Sequence, residues 1–118
     1  IFKEMRDADL FFFTSISEDT STVVLEAISN HLPVLCFNTC GMGYVINEKV
    51  GIKIPLSNPQ KSVEEFAQRI TYLYKNPVLL QQLANGCKER QKELSWESKA
   101  LQMVGLYKKC LSHNTLLE

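Results

Sequence analysis

No run in this sequence approaches the roughly 20 apolar residues that a membrane-spanning helix needs, and no signal-peptide pattern is visible. The chain has no net charge, since 13 Lys and Arg face 13 Asp and Glu. A nucleic-acid binder would show a basic stripe, and none is present. The 2 histidines, His31 and His113, stand apart from each other. A Ser-His-Asp triad built on His31 would need geometry that no spacing provides. The 4 cysteines, Cys36, Cys40, Cys87 and Cys110, lack the paired spacing of a metal site. A zinc site from Cys36, Cys40 and a histidine is the weaker reading. Mostly apolar neighbours make the thiols read as buried groups in a reducing cytoplasm. Gly41 and Gly43 have no third glycine at 44–46, so there is no Gly-x-Gly-x-x-Gly dinucleotide fingerprint. There is no internal repeat, low-complexity tract or interdomain linker.

What is present is ordinary for a globular domain: 118 residues, 45% hydrophobic and 22% charged, enough for one core. The chain is organised around Phe11 to Pro33. Leu10 to Phe13 is a short aromatic-rich run that suits a fully buried strand. Ser15, Ser17, Asp19, Thr20 and Ser21 supply turn and cap chemistry. A helix follows, packing through Val23, Val24, Ala27 and Ile28. Leu32 before Pro33 disfavours helical backbone and ends it. A helix that starts beside the C-terminal end of a parallel strand is where open α/β sheets bind ligands. Its free N–H groups near Thr22 and Val23 favour phosphate. The helix dipole contributes only about 0.3–1 kcal/mol, so specificity needs other groups. Glu26, one turn inside, leans back toward that end and suits two hydroxyls of a ribose. Glu18, on the preceding turn, faces the same opening and suits a second polyol. By spacing alone, both could equally be solvated surface carboxylates.

The rest alternates strand and helix. Ile1 to Asp7 reads as the tail of a helix, with Phe2 and Met5 on one face. Pro33 to Phe37 is a second strand, covered on both faces. The loop Asn38 to Gly43 has glycines that permit positive φ or close approach to a ligand. Residues 44–47 form a short helical turn, and Gly51 to Pro55 a third strand. Ser62 and Glu65 form a capping box for a helix whose apolar face is Val63, Phe66, Ile70 and Leu73. Asn76-Pro77 caps and opens the next helix, with Leu80, Leu83, Ala84 and Cys87 inside. Gly86 weakens that helix by about 1 kcal/mol relative to Ala and is a place for it to end or bend. Lys88 to Lys92 is a solvated charge run. Ser95 caps a last helix with a stripe at Ala100, Val104, Tyr107 and Leu111, anchored by a packed Trp96. The residues after Leu111 fray. Strands alternating with helices predict an α/β fold with a parallel sheet of about three strands.

The pattern Glu18, seven residues, Glu26-Ala27, then Leu32-Pro33-Val34, resembles the family 4 (group 1) retaining glycosyltransferases of GT-B architecture. Ala8-Asp9, Gly41 to Gly43, Gly51 and Ser95-Trp96 extend the likeness over nearly the whole chain. The family often has Gly-Phe-Gly where this chain has Asp19-Thr20-Ser21. The resemblance implies that residues 1–118 are a single partial domain, the second half of the Rossmann-like, nucleotide-sugar-binding C-terminal domain. Glu18 would then contact the transferred sugar and serve catalysis, and Glu26 would bind the donor ribose. The diphosphate would lie on the backbone of Thr20, Ser21, Thr22 and Val23, and the donor sugar near the amides of Gly41, Met42 and Gly43. It implies a nucleoside-diphosphate sugar as donor substrate, no cofactor, no bound metal and no nucleic-acid partner. It also implies a missing N-terminal acceptor domain, through which alone a membrane could be reached. The setting would be the cytoplasm or the inner face of a membrane. The fragment alone would be inactive, with its first strand exposed as an edge that invites dimerisation. Two other readings stay open: a non-catalytic α/β interaction module, and a GT-B nucleotide-sugar epimerase.

Overall fold

The computed structural model describes residues 2–16, 22–39 and 41–117, and the side chains of these except at 2 and 113–117. The element order is α1 (Phe2–Asp7), β1 (Phe11–Phe12), α2 (Thr22–Ser29), β2 (Val34–Phe37), α3 (Met42–Val45), β3 (Gly51–Ile54), α4 (Pro59–Lys75), α5 (Pro77–Glu93) and α6 (Trp96–Leu117). The described strands make one parallel sheet in the order β1-β2-β3. Phe12 is opposite Leu35, and Cys36 opposite Lys53.

β2 is central, and all four of its side chains are buried. Alternation sends them to opposite faces. Val34 and Cys36 join Val24, Ala27, Ile28, Met42, Ile46 and Cys87 on one side. Leu35 and Phe37 join Ile54 and Phe66 on the other. Phe66 is held edge-on by Phe37 and Phe12, at centroid separations of 4.9 and 5.1 Å. Burying such side chains contributes about 1.5–3 kcal/mol each, and this strand feeds the apolar clusters on both faces of the sheet.

β1 is not the fully buried strand its composition indicates. It lies at the end of the described sheet, and Phe12 is 50% exposed. Phe11 and Phe13 still stack on the α2 side, with centroids 5.5 Å apart.

Several helix boundaries differ from the sequence reading, each for a local reason. α2 ends at Ser29, ahead of Pro33. His31 takes a left-handed φ of 57°, and the N–H groups of His31 and Leu32 return to the carbonyls of Ile28 and Ala27. That is a Schellman cap with histidine in the place glycine usually fills. α4 begins at Pro59, not Ser62. Asn58 caps it by accepting from the Lys61 N–H at 2.8 Å, and Ser62 lies buried in the helix. Asn76 does not cap α5 with its side chain; its amide donates to the Tyr72 carbonyl and closes α4. Ser95 caps α6 as expected, accepting from the Ser98 N–H at 3.1 Å.

Two expectations about packing fail. On α4, Phe66 and Leu73 are buried, but Val63 and Ile70 face solvent beside Leu56 and Ile16. α6 projects from the body: residues 101–112 are all exposed, and Trp96 is 93% exposed. Trp96 anchors nothing here, because its helix leaves the core at its first turn.

The charge run on α5 is not all solvated. The Arg90 side chain is only 12% exposed. It donates to the carbonyls of Val45 (3.0 Å) and Tyr44 (2.7 Å) and to Glu93 (2.7 Å). It thereby satisfies orphan carbonyls at the end of α3. α5 also runs unbroken through Gly86. A Cβ there would lie 1.9 Å from the Lys49 carbonyl oxygen, so the missing side chain lets α5 reach the segment before β3. Helix propensity alone would have Gly86→Ala stabilise by about 1 kcal/mol. The contact reverses the sign: Gly86→Ala is expected to destabilise by about 1–3 kcal/mol, read as a lower midpoint in urea unfolding.

Candidate functional site

Parallel strands deliver their following elements to one edge of the sheet. The chain leaves β1 after Phe12 and β2 after Phe37, so the starts of α2 and α3 share that C-terminal edge. α2 opens at Thr22, with Val23 next, and Glu26 lies one turn in. Val24, Ala27 and Ile28 fix the helix on β2 and α5. Glu26 is half-buried, and its carboxylate makes no hydrogen bond or ion pair with any described residue. The Asn30 side chain binds the Glu26 backbone carbonyl instead, at 2.8 Å. Glu18, Thr20 and Ser21 lie outside the described residues, as does Cys40.

The second wall is the loop from β2 into α3. It holds Gly41, Met42 and Gly43, but not as a glycine turn. Gly41 has φ −62° and ψ −26°, and no described glycine has positive φ. The helical turn starts at Met42, two residues before the expected position. Tyr44 and Val45 N–H groups both return to the Gly41 carbonyl. The amides of Met42 and Gly43 are left without a backbone acceptor among the described residues. The Met42 side chain is buried in the core, so only its backbone is available to a ligand. Gly43 is small for another reason: a Cβ would come within 3.0 Å of Asn38 Oδ1.

Three residues of this region escaped the sequence reading. Thr39 has a buried hydroxyl with no hydrogen-bond partner among the described residues, next to the α3 turn. Asn38 donates its N–H to the Ile54 carbonyl at 2.8 Å and so ties the loop to β3. Lys53 reaches across from β3 and donates to the Gly43 carbonyl at 3.0 Å. A lone lysine inside the apolar run GIKIP was the available signal for it.

Among the described residues no group of His, Cys, Asp and Glu could hold a metal. Cys36 and Cys87 are buried as expected, whereas Cys110 is exposed. Burial pushes the Cys36 thiol up to about 11, with the Lys53 charge pulling weakly the other way. Burial does the same to Cys87, also to about 11. Both thiols are therefore neutral packing groups.

The sequence model described as "Glycosyl transferases group 1" matches residues 1–93. The chain belongs to that family. Its fold matches sucrose-phosphate synthase from Thermosynechococcus elongatus with a TM-score of 0.71 at 25% identity, over 93% of this chain. The match spans 27% of that longer chain. The three-stranded parallel sheet with flanking helices is thus that of a GT-B Rossmann-like domain. A comparison with curated proteins returned no match. No described helix is long and apolar enough to cross a membrane.

The thiols give a pH prediction. Unfolding exposes them, and an exposed thiol ionises near 9.0 whereas the folded ones hold their protons to about 11. Their contribution to stability is complete below pH 9 and is lost as pH rises toward 11. Denaturation midpoints measured from pH 8 to 11 should fall less steeply in a Cys36→Ala, Cys87→Ala double variant than in wild type.

Proposed function

We propose that the protein containing this half-domain transfers a sugar from a nucleoside-diphosphate sugar to an acceptor, with retention at the anomeric carbon. The carrying observation is Glu26: a half-buried carboxylate without a partner among the described residues, one turn inside an eight-residue helix. That helix opens at the C-terminal edge of a parallel sheet in a group 1 glycosyltransferase chain.

In this reading the helix amides around Thr20, Ser21, Thr22 and Val23 take the diphosphate. A helix start is preorganised for negative charge, and the charge grows on the diphosphate as the sugar leaves, which is where electrostatic stabilisation accelerates transfer. Glu26 accepts from the ribose hydroxyls. It sits beside the anion and not against it, so attraction for the ribose is not offset by repulsion of phosphate. Glu18 orients the transferred sugar, and the amides of Gly41, Met42 and Gly43 face its hydroxyls. Retention follows if the acceptor attacks on the face the diphosphate leaves, or if Glu18 forms a transient covalent adduct. No metal takes part. The match spans only 27% of the solved relative, and in this reading the acceptor is bound by the counterpart of the remainder, so the chain alone should bind donor weakly and not turn over.

Titration with a panel of nucleoside-diphosphate sugars, followed by NMR, tests the roles separately. Glu26→Ala should weaken the sugar nucleotide and the bare nucleoside diphosphate alike, by about tenfold or more, equivalent to about 1.4 kcal/mol. Glu18→Ala should weaken only the sugar nucleotide. Affinities unchanged in both variants would overturn the reading.

The open edge of β1 leads to a second expectation. Phe11 and Phe13 N–H groups bond to β2, which turns the polar groups of Phe12 outward. Exposed Phe12, Ile16, Leu56 and Val63 flank that edge. An unpaired, apolar edge pairs with another chain, so the isolated chain should self-associate in sedimentation at high concentration. A monodisperse monomer there would refute this.

A further inference from the structure

A second polar concavity lies on the far side of the sheet, along the outer edge of β3. It is a cavity of about 710 Å³ walled by Asn38, Asn47, Glu48, Lys53 and Arg69, with leucines of α5 beneath. Two cations line it, and neither has a carboxylate within ion-pair distance among the described residues. Lys53 is half-buried, and its ammonium contacts only the Gly43 carbonyl. A partly buried lysine is normally paired, and here the counter-charge is missing. Arg69, from α4, is exposed and forms no ion pair either. Glu65, one turn before it on α4, pairs with Lys61 at 3.9 Å. Glu48, the carboxylate in the wall, reaches neither cation. Asn47 Oδ1 accepts from the Lys49 N–H at 3.1 Å, so its side-chain amide is held at the wall with donors of its own.

We propose that this cavity binds the phosphate group of a phosphorylated monosaccharide. Lys53, from a strand, and Arg69, from a helix, line the same cavity with N–H donors to spare, a donor set that suits an anion. The volume far exceeds one phosphate. The remaining wall of Asn38, Asn47 and Glu48 offers both donors and acceptors, which is the chemistry of sugar hydroxyls. The site is separate from the start of α2 and does not rest on the donor reading. It does touch the same loop, because Lys53 holds Gly43 and Asn38 borders both regions.

The test is NMR titration of the 118-residue chain at fixed ionic strength, with chloride, inorganic phosphate and glucose 6-phosphate as probes. Glucose 6-phosphate should shift the amides of Asn38, Gly43 and Lys53 and bind at least fivefold more tightly than inorganic phosphate. Arg69→Gln, at an exposed position, should weaken it at least fivefold, as should Lys53→Gln if it folds. Glu26→Ala should leave it unchanged. The proposal is overturned by equal binding in wild type and Arg69→Gln, by shifts confined to Thr22 and Val23, by shifts that chloride reproduces, or by no binding.

Discussion

The segment Lys49 to Gly51 lies flat between β2 and α5, and the architecture turns on that close approach. Two glycines allow it. At Gly51 a Cβ would sit 2.1 Å from the Val34 carbonyl oxygen, and at Gly86 one would sit 1.9 Å from that of Lys49. Between them Val50 is fully buried, and its carbonyl faces the Cys87 thiol. β3 therefore enters the sheet in a fixed register, Val34 opposite Gly51 through Phe37 opposite Ile54. The same segment follows Ile46, also fully buried, so α3 is pinned as well. The loop that forms one wall of the candidate site inherits its position from two missing side chains more than it does from its own sequence.

This explains how a four-residue helix can be part of a binding wall. α3 is far too short to be stable alone. It is held from below by Met42, Val45 and Ile46 in the core, from its C-terminus by Arg90, and from the side by Lys53 on Gly43. Those contacts fix its first amides without using them. α2 is held differently, by apolar packing alone along Val24, Ala27 and Ile28. At its start the side chain of Thr22 is exposed and takes no part in that packing. In both cases the packing residues and the residues left for a ligand are distinct sets on the same element.

That separation decides what the sequence could reveal. The three strands and the central burial of VLCF were legible because parallel strands read as unbroken apolar runs. The Glu26 helix was legible from its spacing, and its family from the pattern around it. Helix ends were less so. Ser62 with Glu65 has the letters of a capping box, yet Asn58-Pro59 won, since proline at the first position and an asparagine cap act together. The same pair was read correctly at Asn76-Pro77 as the start of α5, but the Asn76 side chain went to the neighbouring helix. Glycine was misread most. Gly43 and Gly86 suggest a turn and a weak point by composition, whereas they mark approaches to Asn38 and to the Lys49 backbone that only the assembled fold defines. Arg90 and Lys53 were hidden for a related reason. Their charges satisfy carbonyls 45 and 10 residues away, and no local window contains both partners.

α6 shows where local patterning stops deciding structure. Its 22 residues span about 33 Å at the usual rise, and its side chains at 101–112 are exposed, whereas its start is tied to the body. Ser95 caps it, and Lys99 donates to the Tyr44 hydroxyl at 3.0 Å while lying 4.8 Å from the centre of that ring. Arg90 covers the same ring at 5.3 Å. The lysine hydrogen bond, reinforced by its charge, holds the Tyr44 phenol below its ordinary range. Exposed contacts of this kind contribute modestly, so they orient the helix more than they stabilise it. The side chains of Val104, Tyr107 and Leu111, which share one side of the helix, are then exposed, an apolar stripe that monomeric surfaces usually avoid. The stripe was real in the sequence, but amphipathicity specifies only that a face seeks cover, never which surface covers it. The same holds for Phe12 and Val63 at the opposite side of the sheet. Both faces are left open by a chain that aligns with only 27% of a solved relative, and both have the spacing of elements packed on one side.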